Sequence, residues 1–198
     1  MGRQHMRPLL IATLVAALVP WASANAQQIP NPDQAPLRLD TEMDKGTGAL
    51  RDAFVRRPVY YRSDERPGTI IIDTSTRFLY LIKGKGVAVR YGIGVGREGF
   101  QWAGLLRITR KAEWPDWTPP DEMIVRQPYL PRWMAGGPGN PLGARAMYLG
   151  KTVYRIHGTN QPETIGHAVS SGCFRLVNDD VIHLYDQVAV GTKVIVRH

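Results

Sequence analysis

Thr69-Ile70-Ile71-Ile72-Asp73-Thr74-Ser75-Thr76-Arg77-Phe78-Leu79-Tyr80-Leu81-Ile82 is the stretch that decides the fold class. Two runs of β-branched, aliphatic and aromatic residues flank a Thr-Ser-Thr break, which is the pattern of a β-hairpin. Working outward, Lys83-Gly84-Lys85-Gly86 reads as a second turn and Val87-Ala88-Val89-Arg90-Tyr91 as the next strand. Leu105-Leu106-Arg107-Ile108-Thr109, Tyr148 to His157, and Lys193-Val194-Ile195-Val196 continue the series. Many short strands with Gly and Pro turns, and few helical stretches, predict a mostly-β protein built as an antiparallel sandwich or barrel.

One helix is well signalled. Asn178 stands where a cap is expected, and Asp179 and Asp180 suit the positive end of a helix dipole. Val181, Leu184, Tyr185 and Val188 follow at one-face spacing, and Gly191 ends the segment. Cys173 then lies a few residues before a helix N-terminus, where the local field favours a thiolate. A second, short helix is expected within Ala49 to Val55. Residues 113 to 145 show little regular pattern, as lids and binding loops do. Trp114, Trp117 and Trp133 in that stretch either line a groove or anchor the loop by packing.

The first 26 residues read as a secretory signal: Arg3 and Arg7, an apolar run from Leu9 to Val19, then Ala24-Asn25-Ala26. The run is short for a bilayer span, and no cysteine stands at the cleavage point for a lipid anchor. Cleavage after Ala26 leaves 172 of 198 residues. Residues 27 to 57 are expected to form a lead-in, prolines being prominent in its first part, and 58 to 198 one folded domain. Beyond the leader, 23 Lys and Arg face 17 Asp and Glu, a net charge of +6. That balance suits an anionic partner such as a carboxylate-rich cell wall. The basic residues are scattered and form no nucleic-acid motif, so a nucleic-acid partner is not expected. Cys173 is the single cysteine. An unpaired thiol in an exported chain is either a small buried hydrophobe or a retained nucleophile.

Gly94-Val95-Gly96-Arg97-Glu98-Gly99 matches a dinucleotide fingerprint, yet Phe100-Gln101-Trp102-Ala103-Gly104 follows where a helix is required. It reads as a strand end and turn. His157, His167 and His183 lack the paired spacing of a zinc site, so no metal and no cofactor are expected. No Gly-x-Ser-x-Gly elbow is present. What remains is a thiol and an imidazole: Arg155-Ile156-His157-Gly158-Thr159, a spacer, then Ser170-Ser171-Gly172-Cys173-Phe174-Arg175-Leu176-Val177-Asn178. A base that makes a thiolate is a general recipe for acyl transfer. On chemistry alone His167 and His183 are rival bases, and the thiol and imidazole need not meet.

This segment resembles the signature of the L,D-transpeptidase catalytic domain family, also called YkuD-like or ErfK/YbiS-like: His-Gly-Thr, a spacer, then Ser-His-Gly-Cys-aliphatic-Arg. The likeness extends over Leu184-Tyr185, Gly191-Thr192-Lys193-Val194 and Gly139-Asn140-Pro141-Leu142-Gly143, roughly Thr69 to Val196. Ser171 stands where the family commonly has histidine. The resemblance implies a mostly-β antiparallel sandwich with a short helix after the nucleophile. It implies Cys173 as nucleophile and His157 as its base, with Gly158, Gly172 and Ser171 in orienting or oxyanion roles. Arg175 is expected to bind a substrate carboxylate or to steady the Cys loop by a salt bridge. Thr159 and Ser170 contact substrate or shape turns. The implied donor is a peptidoglycan tetrapeptide stem, and the implied acceptor an amine on a second stem or an envelope protein, in the periplasm or cell envelope. A hydrolase on the same dyad and an inactive wall-binding domain are the alternatives.

Overall fold

The computed structural model describes Met1 and residues 50–198. Residues 50–198 belong to a single compact unit. The expected signal segment and most of the lead-in lie outside the described residues. No helix among the described residues is long and apolar enough to cross a membrane.

In chain order the strands are β1 (Arg57–Tyr60), β2 (Ile70–Asp73), β3 (Phe78–Gly84), β4 (Val87–Gly92), β5 (Val95–Gly96) and β6 (Gly104–Glu113). Then come helix α1 (Asp121–Arg126), β7 (Arg145–Leu149), β8 (Arg155–His157), β9 (Ala168–Ser170), β10 (Phe174–Arg175), helix α2 (Asn178–Gln187) and β11 (Lys193–Arg197). Short 3-10 turns occupy Asp52–Phe54 and Pro162–Thr164. Nine strands form one sheet in the order β1-β4-β3-β2-β11-β6-β7-β8-β10, while β5 and β9 form a separate pair.

The β2–β3 hairpin forms as expected, with Ile70 opposite Leu81 and Asp73 opposite Phe78. Asp73 closes its turn by accepting from Ser75 Oγ at 2.7 Å and Thr76 N at 3.0 Å. The unbroken isoleucine run has a physical reason. Ile70 and Ile72 enter the main core, whereas Ile71 joins a smaller cluster with Ile82 and Ala88 on the opposite face. A strand covered on both faces has no need of a polar alternate residue. Each fully buried isoleucine contributes about 1.5–3 kcal/mol.

The sheet is mixed rather than purely antiparallel. β11 runs parallel to β2, and β10 parallel to β8. β6 joins the two halves: Gly104–Arg107 pairs with β11, and after an irregularity near Ile108 the remainder pairs with β7. Main-core residues come from both halves, including Leu79 and Leu81 on one side and Met147, Ile156 and Phe174 on the other.

Four local expectations change. Tyr148 to His157 is not one strand, because Thr152 Oγ1 donates to Leu149 O at 2.7 Å and closes a turn between β7 and β8. In the described part of the Ala49 to Val55 stretch, residues 50–55, only the Asp52–Phe54 turn forms. Helix α2 ends at Gln187, ahead of Gly191, where Lys111 Nζ donates to Tyr185 O and Val188 O at 2.7 and 2.6 Å. A cation at that end also complements the helix dipole. Finally, Asn178 is not the cap: Val177 holds that position without a side-chain bond. Asn178 Oδ1 instead accepts from Ala144 N at 2.9 Å, tying the helix to the loop before β7.

Residues 113 to 145 are partly ordered by their own bonds. Trp117 and Met134 exchange backbone bonds of 2.9 and 2.8 Å. Buried Asn140 donates to Met134 O and Ala135 O and accepts from Leu142 N. Trp117 is buried and anchors the loop, whereas Trp114 and Trp133 are 41% and 57% exposed. Helix α1 buries no residue.

Candidate active site

The Cys173 turn is built by packing from several elements. The rejected glycine fingerprint supplies its back wall. Gly94 exchanges two backbone bonds of 2.9 Å with Arg175, and β5 pairs with β9, without a helix following. Trp102 Nε1 donates to Gly172 O at 2.9 Å, and its ring stacks on Tyr154 at 4.6 Å. Ser170 Oγ donates to Cys173 O at 2.6 Å and accepts from Gly172 N at 3.2 Å. Ser170 is buried and shapes the turn. Arg97 Nη1 donates to Ser171 Oγ at 3.4 Å, at the position where histidine is common. Gly172 has φ +97°, and a Cβ there would lie 2.6 Å from Cε1 of Tyr154, so this turn requires glycine.

The strand register then arranges the reactive groups. β10 pairs with β8 so that Phe174 opposes Ile156 and Arg175 opposes His157. Phe174 and Ile156 point into the main core. By the two-residue alternation of strands, Arg155, His157, Cys173 and Arg175 share the other face. One step back along the register sets Cys173 across from Arg155. His157 then lies diagonally from Cys173, with Cα atoms about 8 Å apart from strand spacing and rise.

His157 is 4% exposed, and its Nδ1 lies 2.6 Å from Gly158 O. A carbonyl only accepts, so Nδ1 carries the hydrogen and Nε2 keeps the lone pair of a base. Burial, helped by the charge of Arg175, pushes the imidazole down to about 3, and it is neutral at any physiological pH. Cys173 is partly exposed. Burial raises its thiol above the ordinary range, opposed by the charges of Arg155 and Arg175. The resting pair is therefore thiol and neutral imidazole, contrary to the thiolate expected from the nearby helix terminus. The thiol lies 3.8 Å from Val153 O.

Arg175 has a buried Nε without a hydrogen-bond partner and, among the described residues, no ion pair. Burial lowers its affinity for its proton, while Cys173 and Glu163 oppose that effect. No salt bridge steadying the loop is found. Thr159 is buried and accepts from Gln161 N at 3.0 Å, a turn role. With Asn160, Pro138, Pro162, Val177, Asn178 and Asp179 it also lines a cleft of about 340 Å³. The rival histidines are occupied elsewhere: His183 Nδ1 meets Tyr91 OH at 2.8 Å, and His167 lies near the charges of Arg51 and Arg77. Arg155, Trp102, Tyr154 and Arg97 were not singled out from sequence. A tryptophan within a turn was the one available signal.

Residues 67–196 match the YkuD family, the L,D-transpeptidase catalytic domain. The chain belongs to this family. The probable L,D-transpeptidase ErfK/SrfK of Escherichia coli (strain K12) is 38% identical over 137 residues, 65% of this chain and 43% of that protein. The probable L,D-transpeptidase YbiS of the same organism is 34% identical over 165 residues, 79% and 52% of the two chains. The chain thus spans about half the length of these curated relatives. Among solved structures, the E. faecium L,D-transpeptidase catalytic domain acylated by ertapenem superposes with a TM-score of 0.52 at 20% identity. It covers 68% of this chain and 100% of its own. An L,D-transpeptidase from Mycobacterium smegmatis gives 0.51 at 19% identity, over 66% and 58% of the two chains. At these identities the likeness establishes the YkuD fold.

Proposed function

We propose that the chain is an exported, cysteine-dependent L,D-transpeptidase acting on peptidoglycan stem peptides in the cell envelope. The observation that carries this reading is the common strand face of Cys173 and His157, with His157 Nδ1 fixed by Gly158 O and Nε2 left as base. The sequence features of residues 1–26, a charged start, an apolar run and Ala24-Asn25-Ala26, support export.

In the first half-reaction the Cys173 sulfur attacks the carbonyl of the third-position diamino acid in a tetrapeptide stem. A carbon–sulfur bond forms as the amide bond to the terminal D-alanine breaks. The thiol proton passes to His157 Nε2 and from there to the departing amine. Because both partners are neutral at rest, proton transfer accompanies attack. The Cys173 amide stabilises the oxyanion, a role typically worth about 3–4 kcal/mol for such a donor, while the Gly172 amide is held by Ser170 Oγ. Arg175, its Nε buried and without an ion pair among the described residues, takes a substrate carboxylate. In the second half-reaction an acceptor amine attacks the thioester, its proton leaves through His157, and the sulfur is released as thiol.

Incubating the purified chain with disaccharide-tetrapeptides and analysing products by mass spectrometry tests this. Dimers joined through two diamino acids, absent with Cys173→Ala, are expected. Tripeptide alone identifies a hydrolase. Unaltered substrate, or full activity in Cys173→Ala, refutes the proposal.

A further inference from the structure

His157 is buried and lies near the charges of Arg175 and Arg155, which leaves it a poor carrier of positive charge. An imidazolium is the usual counter-charge for a catalytic thiolate. The charge that develops on sulfur here needs another partner. Resting on the reading of Cys173 as nucleophile, we propose that Arg155 is the positioning residue whose guanidinium holds the Cys173 sulfur as it becomes negative.

Three observations converge on it. The parallel β8–β10 register sets Arg155 directly across from Cys173, about 5 Å away between strands, while Arg175 opposes His157 instead. The Arg155 guanidinium lies 5.4 Å from the centre of the Tyr148 ring, which Arg110 also approaches at 3.5 Å. Its Nε is buried without a hydrogen-bond partner, and it has no ion pair among the described residues that would compete for its charge. The charged and titratable groups acting on this face are Arg155 and His157 from β8 and Arg175 from β10, with Glu163 acting on Arg175. Arg97 reaches the turn at Ser171. Of these, the Arg155 charge does most to favour a negative sulfur.

Because Cys173 is the single cysteine, alkylation by iodoacetamide reports on it alone. The purified full chain is titrated from about pH 5 to about pH 10, following alkylation rate and thiolate absorbance. Arg155→Gln is expected to raise the apparent thiol pKa by about 1–2 units, slowing alkylation near neutral pH by about tenfold or more. Arg155→Lys, which keeps the charge, is expected to stay close to wild type, and Arg175→Gln to shift the profile less than Arg155→Gln. In transpeptidation the Gln variant loses kcat with KM unchanged. A Gln profile superimposing on wild type, a larger effect from Arg175→Gln, or a change in KM alone overturns the assignment. Should Arg155→Gln not fold, the Lys variant decides: a folded Lys protein with a strongly raised thiol pKa refutes a charge role. Failure of the functional reading is separate, since it appears as cross-linking that survives Cys173→Ala whatever the alkylation profile.

Discussion

Replacing Gly172 with alanine isolates how tightly the Cys173 turn is determined. Two costs add. The backbone at φ +97° is a region that L side chains rarely adopt, worth about 1–3 kcal/mol. The new methyl would lie 2.6 Å from Cε1 of Tyr154, and that ring is stacked on Trp102, whose Nε1 is bonded to Gly172 O. The neighbour therefore cannot turn away without breaking the stack, and overpacking of this kind costs about 1–3 kcal/mol. Together the loss is about 2–6 kcal/mol. For a domain of this size each kcal/mol lowers Tm by about 2–4 °C, so a fall of roughly 4–24 °C is expected. Scanning calorimetry measures it, and alkylation of Cys173 on the same sample reports whether the sulfur has moved. A Gly172→Ala protein with unchanged Tm and unchanged alkylation rate would refute the account of the turn.

Acid stability carries two opposing contributions. The folded His157 value, about 3, lies below the ordinary 6.5, so its contribution is complete above about pH 6.5 and is lost as pH falls towards 3, about 4–5 kcal/mol in all. Asp180 is pushed up to about 6 by burial, so its contribution is complete below 3.8 and lost as pH rises through 6, about 3 kcal/mol. Urea midpoints should therefore fall between about pH 7.5 and about pH 4, and fall more steeply in Asp180→Asn; equal slopes would contradict this. Asn178→Ala leaves the Ala144 amide without its acceptor and should cost about 1–3 kcal/mol by urea denaturation. Asn178→Ser, able to cap a helix but too short to reach Ala144, should lose as much, and a Ser variant as stable as wild type would restore the capping role.

Local pattern was enough to read the β2–β3 hairpin, the α2 stripe and the reactive pair, because each rests on neighbouring residues. Strand direction was not legible. The alternation of Val194, Ile195 and Val196 is the same whether β2 lies parallel or antiparallel to it, and only distant pairing decides. Asn178 has the chemistry of a cap, and a partner 34 positions away in sequence takes its oxygen instead. Arg155 stands within the motif, but its place beside Cys173 depends on the register between two short strands, which local pattern does not carry. The thiolate expectation failed because burial outweighs a weak helix-end field.

The last strand of the domain, β11, sits in the middle of its sheet, between β2 and β6. Until Lys193–Arg197 arrives, β2 and β6 each present an unpaired edge. A ribosome delivers residues in order, so the sheet cannot close until Lys193–Arg197 has emerged. Until then the open edges of β2 and β6 are the places where this domain is most liable to pair with another chain.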